Sequence, residues 1–158
     1  MTLANRSLSS SIYAKEQLTA SLLAQDLAEY VVASRGANTG KADTAWLGNL
    51  NQCTVDSPCG LDTLKGFDAG GNSQGLVHCS PPDFESCRLT FNSASGTYGH
   101  DQVMSGNGIT SSLYVRTFAL SSINDEEAQV LITVAWNQAS IKRSIILRTS
   151  LFNLFKIT

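Results

Sequence analysis

From Leu3 to about Arg35 the chain contains neither Pro nor Gly, and its Ala, Leu, Gln and Glu are good helix formers. Tyr13, Ala20, Ala24, Leu27 and Val31 follow one another at spacings of seven, four, three and four, flanked by Leu23 and Tyr30. This pattern predicts a single helix over 3–35, with Tyr13, Ala20, Leu23, Leu27, Tyr30 and Val31 on a face that packs against the rest of the chain. A thinner ridge of Ala14, Leu18 and Leu22 lies well around the cylinder, beside Gln25 and Glu29. One apolar face satisfies the domain itself, and a second ridge leaves a surface for a partner. Arg35 followed by Gly36 predicts the helix stop.

The other clear periodicity is in the last third. Ser112–Leu120, Ala128–Trp136 and Ile141–Phe152 are β-rich runs, and Val130, Ile132, Val134 and Trp136 alternate with Leu131, Thr133 and Ala135. The third run sets Ile141, Ile145, Leu147 and Leu151 on one face, interrupted by Arg143. Short polar turns join the runs, so neighbouring strands must be antiparallel. The expected architecture is α+β: a long N-terminal helix laid on an antiparallel meander over 112–152, Trp136 joining the helix–sheet core. Between them, 36–111 reads as loop-rich. Arg88–Asn92 is a short strand, Ala42–Asn51 a helical turn carrying Trp46 inward, 52–86 a loop, and Ser93–Ser112 an exposed Gly- and Ser-rich loop.

Four cysteines sit only in that middle region, as Cys53, Cys59, Cys79 and Cys87. An even count predicts disulfides and an oxidising compartment, with the local pairs Cys53–Cys59 and Cys79–Cys87 preferred among three connectivities. The alternative is a zinc site made with His78, but gaps of five and seven residues are wider than zinc knuckles use.

The 158 residues make one domain's worth of chain, with 42% hydrophobic and only 15% charged positions. A net charge of −2 excludes a global basic field for nucleic acid or anionic lipid. No apolar run approaches the roughly 18 residues of a membrane span, and the first residues do not form a signal peptide. The chain reads as soluble, and as a piece trimmed from a longer, anchored one.

Candidate chemistry is sparse. There is no Gly-x-Ser-x-Gly elbow, and His100-Asp101 lies in a Gly-rich stretch without a partner at a fixed offset. Asp68 and Asn72, in FDAGGNSQG, are oxygen ligands without EF-hand spacing, so a surface turn is expected over a calcium loop. No cofactor is expected. Arg116, Lys142, Arg143 and Arg148 are the candidates for a basic patch toward DNA or anionic glycans; on a sheet face such charges also keep the sheet soluble.

The run LTASLLAQDLAEYVVASRGAN, the later Trp46-Leu47, the strand YVRTFAL, and VLITVAW followed by a basic strand resemble minor type IV pilins and pseudopilins. The resemblance covers residues 8–38 and 112–152 and leaves out the cysteine region. It implies a pilin-like fold, a non-catalytic structural subunit, partners of the same kind packing along the helix, and anchoring in the cytoplasmic membrane before assembly into an extracellular filament. The family's leader, its Gly-Phe-Thr-Leu-Ile-Glu type processing motif and its apolar membrane half are not in this sequence. No residue here therefore takes the cleavage role or the subunit-recruiting glutamate role. Many members carry a disulfide near the C-terminus, whereas the last strand here has no cysteine. The reading from another class is a stand-alone surface-binding module that recognises glycan, protein or DNA through its loops. The apolar residues left uncovered on the helix, Leu18 and Leu22, discriminate the two.

Overall fold

The computed structural model describes residues 3–38, 43–100, 108–121, 123–138 and 140–153. Helix α1 spans Leu3–Ala37. The strands are β1 (Cys59–Leu61), β2 (Leu76–His78), β3 (Arg88–Asn92), β4 (Thr97–Gly99), β5 (Ile109–Ser121), β6 (Glu127–Gln138) and β7 (Ile141–Phe152). All strand pairs are antiparallel. Strand β5 is the hub. One edge pairs with β6, which pairs with β7; the other takes β3 along its first half and meets β1 where Cys59 faces Phe118.

The helix lies on one face of β5–β6–β7. Ala20, Leu23, Ala24, Leu27, Tyr30 and Val31 are buried against Phe118, Leu120, Val130, Ile132, Val134, Trp136 and Leu151, with Tyr13, Ile145 and Leu147 partly buried beside them. The alternation of β6 puts Ala128, Val130, Ile132, Val134 and Trp136 under the helix, while Leu131, Thr133 and Ala135 face the opposite side and stay half-buried. Ile141 differs from its expected place: it is 54% exposed, because it pairs with Gln138 at the hairpin end, beyond the reach of the covered part of the helix.

Helix and β7 run side by side in the same direction. Tyr13 sits 5.2 Å from the Arg143 guanidinium, and Arg35 reaches the carbonyl of Phe152 at 3.4 Å. The helix rises about 33 Å between Tyr13 and Arg35 at 1.5 Å per residue, and β7 advances about 30 Å between Arg143 and Phe152 at 3.3 Å per residue. The two elements are thus matched in length only from Tyr13 onward. The ten residues before it add roughly 15 Å of helix beyond the end of β7, and the side chains of Ser7–Ile12 are exposed, Ile12 at the edge of β3–β5.

The helix runs past its expected end at Gly36. Its terminus is set instead by buried Asn38, whose side-chain amide donates to the carbonyls of Ser34 at 3.0 Å and Gly71 at 2.8 Å. One helix-end carbonyl is thereby satisfied, and the middle region is tied to the helix. Gly71, at φ 76°, comes so close to Asn38 that a Cβ there would collide with it.

The middle region is more ordered than expected. Two short 3₁₀ pieces within Asp43–Gln52, separated by a kink at Gly48, carry Trp46, Leu47 and Leu50 into the core. Within 52–86, β1 and β2 form a hairpin that extends the sheet, and within Ser93–Ser112, β4 pairs with β3 while β5 begins at Ile109. Each unforeseen strand has three residues, too few to show a period. Residues 101–107 of that second stretch lie outside the described residues. Disulfides join Cys53 to Cys59 and Cys79 to Cys87. The first lies at the β1–β5 junction, where Leu120 donates its N–H to the carbonyl of Cys53 at 2.7 Å. The second packs with Val77 and Phe84 over Val115, on the sheet face away from the helix.

Candidate functional site

The helix presents two surfaces. Opposite its buried face, Leu8, Leu18, Leu22 and Val32 are 63%, 62%, 56% and 43% exposed, with Ala14 exposed among them. At 3.6 residues per turn the four larger side chains fall within an arc of about 120°. Leu8 and Val32 were not part of the ridge expected from the sequence. Their phase relative to Leu18 is the signal that would have found them.

Three side chains of the sheet reach up and hold the helix by polar contacts. Arg116, wholly buried, donates from Nη1 to the carbonyl of Leu23 at 3.1 Å and to Asp26 Oδ2 at 2.8 Å, and from Nη2 to the carbonyl of Leu61 at 2.8 Å. Thr63 donates to the same Asp26 oxygen at 2.7 Å. The Tyr114 hydroxyl donates to the carbonyl of Glu16 at 3.3 Å, and Trp136 Nε1 donates to Glu16 Oε2 at 3.2 Å. Burial pulls the Arg116 pKa down, and hydrogen bonding to Asp26 pulls it back; a guanidinium starts so high that it stays charged. These contacts fix both rotation and height of α1 on the sheet, so which apolar ridge faces outward is not free to vary.

The expected basic patch does not form. Arg116 is beneath the helix. Arg143 shares that inner face of the sheet, over the ring of Tyr13. Lys142 and Arg148 lie on the outer face, where Lys142 borders Asp83 and Glu85. Strand parity separates positions 142 and 148 from 143, and Arg116 is drawn inward because Asp26 and two carbonyls wait there. The zinc alternative is likewise overturned, since the four sulfurs are bonded to one another. Among the described residues no three His, Cys, Asp or Glu gather as metal ligands. Asp68 accepts from the backbone N–H of Asn72 at 2.8 Å and from its amide at 3.1 Å, a closed surface turn. His78 is exposed, its Nδ1 3.9 Å from the bonded sulfur of Cys59. Asp101 lies outside the described residues.

An aromatic chain runs from β3 and β4 to β6. Phe91 and Tyr98 are 4.9 Å apart, Tyr98 and Tyr114 5.9 Å, and Tyr114 and Trp136 6.2 Å between ring centroids. It borders a concavity of about 390 Å³ between the first half of α1 and β3–β5, lined also by Lys15, Thr110 and Ser111. The sequence offered no sign of it, because its rings come from four strands that converge only after folding.

Burial raises the pKa values of Tyr30, Tyr98 and Tyr114 above 10.0. The unfolded chain then loses these protons before the folded one does. Stability from this source is complete below about pH 10 and is lost as pH rises through the folded values. The expected result is a urea midpoint that falls steadily above pH 10, with these tyrosinates appearing at 295 nm at higher pH than in the unfolded chain. Ionisation of all tyrosines at the free-residue pKa with an unchanged midpoint would contradict the burial.

Among the described residues no helix is long and apolar enough to cross a membrane. Comparison with known family models, with curated proteins and with solved structures returns no match for this chain.

Proposed function

We propose that this chain is the exposed part of a filament subunit of the minor pilin or pseudopilin kind, with a structural rather than catalytic role. The observation that supports it is the outward ridge of α1, held opposite the core by the Arg116, Tyr114 and Trp136 contacts. A long helix with one face on its own domain and a second apolar face uncovered suits packing among helices, where ridges of one fill grooves of the next. The helix before Tyr13 fits the same use, since its side chains from Ser7 to Ile12 are exposed. In this reading the occupants of the ridge are the helices of neighbouring subunits. The membrane is engaged by an apolar part of the helix upstream of Leu3, and the disulfides belong to an envelope or extracellular compartment.

The test uses the full-length gene in its own cells. Replacing Leu18 and Leu22 together by Glu is expected to abolish filament assembly, while the isolated 158-residue domain keeps its thermal midpoint, because both positions are solvent-exposed in it. The isolated domain itself is expected to sediment as a monomer, four scattered side chains being far below the roughly 1,200–2,000 Å² of a stable interface. Normal assembly of the double variant would overturn the role of the ridge. A gene with no apolar segment upstream of Met1 would overturn the pilin reading in favour of a stand-alone binding module.

A further inference from the structure

The groove between α1 and β3–β5 has the chemistry of a ligand site. Its back is the buried ring of Tyr114, and its wall is the half-buried Phe91–Tyr98 pair, which are direct cross-strand partners. Along the rim stand Lys15, Thr110 and Ser111, all exposed. Among the described residues the Tyr98 hydroxyl has no hydrogen-bond partner and the Lys15 ammonium no ion pair. Glu16, the one carboxylate in the lining, is already engaged by Trp136 through Oε2. The site therefore offers aromatic surface beside several unspent donors and acceptors, with one positive and one negative group and no net charge.

That combination excludes most ligand classes. A purely apolar ligand would cover Ile12 and the rings but strip water from Tyr98, Lys15 and the rim hydroxyls without a hydrogen bond in return, at a cost for each group. A nucleotide would bring phosphates to a site with a single cation beside a carboxylate, too little to balance them. A sugar ring has an apolar C–H face for the aromatic wall and hydroxyls that both donate and accept. The volume, about 390 Å³, is near the low end of the roughly 300–1,000 Å³ found for small-ligand sites, a size for one or two rings.

We propose that this groove binds a neutral mono- or disaccharide, packed on the Tyr98–Phe91 wall and hydrogen-bonded by the Tyr98 hydroxyl, Lys15 and the β5 rim hydroxyls. The inference goes beyond the filament reading and does not depend on it, because the groove is complete within the domain.

The experiment is saturation-transfer NMR on the 158-residue domain with lactose, maltose, cellobiose, mannobiose and N,N′-diacetylchitobiose as separate probes. The expected result is transfer to the C–H protons of one ring of at least one probe, with affinity of about 1 mM. Tyr98→Phe and Lys15→Ala each remove one polar group and should weaken binding about three- to tenfold with unchanged thermal midpoints. Val32→Ser, an exposed position about 25 Å further along the helix from Lys15, should bind as the parent does. Absence of transfer to every probe overturns the proposal, as does transfer indifferent to both groove substitutions. Lost filament assembly in the two groove variants without any sugar binding would also overturn it and mark the groove as a subunit contact.

Discussion

Asp26→Ala is expected to destabilise the domain by about 3 kcal/mol, although half of the Asp26 side chain is exposed. The cost arises on the partner. Arg116 is wholly buried, its Nε already lacks a hydrogen-bond partner, and it cannot escape by losing its proton. Three acceptors would remain, the carbonyls of Leu23 and Leu61 and the hydroxyl of Thr63, but none carries a charge. Replacing the pair by Asp26→Ala with Arg116→Met removes the stranded charge and keeps most of the volume. That double variant should recover to within about 1 kcal/mol of the parent, as buried ion pairs exchanged for apolar groups commonly do. Urea denaturation of the two variants checks this. An Asp26→Ala midpoint equal to the parent's would show that the pair does not hold the helix.

Leu27→Ala should cost about 2–5 kcal/mol, the range for a leucine truncated within a packed core. Leu27 has no exposed surface and lies at the middle of the covered face, between Leu23, Val31 and the strands below. Leu22→Ala is the control. It sits five residues away, 56% exposed, and should change stability by no more than about 0.5 kcal/mol. The contrast separates the two faces of one helix by their function: the first stabilises the domain, and the second is available to something else. Equal losses at the two positions would mean that the helix is rotated from the orientation described.

The long elements were legible because their period is a local property. Thirty-five residues of α1 repeat their apolar phase often enough to name the buried face. The β6 alternation and the limits of β7 could be read in the same way. Proximity along the chain favoured the Cys53–Cys59 and Cys79–Cys87 bridges, since short loops are the least demanding to close.

What lies between those elements was decided by tertiary contact. Three residues of β1, β2 or β4 carry no period, and they are strands only because β1 and β2 complete each other's hydrogen bonds, with β5 beside β1, and β3 completes those of β4. Asn38, not Gly36, ends the helix because the carbonyl of Gly71, from more than thirty residues later, is there to share its amide. Arg116 read as one of four surface cations. Only the fold brings Asp26 and the carbonyls of Leu23 and Leu61 around it, and that cage lets a charge sit in the core instead of on a basic patch. The aromatic groove has the same origin, with rings from separate strands meeting at the foot of a helix. The sequence by itself determined the long helix and the long strands and which face of each is apolar, because neighbours along the chain set those. The structure alone decided where each polar group finds its partner, because a buried donor or charge is satisfied by whatever folding brings within about 3 Å of it.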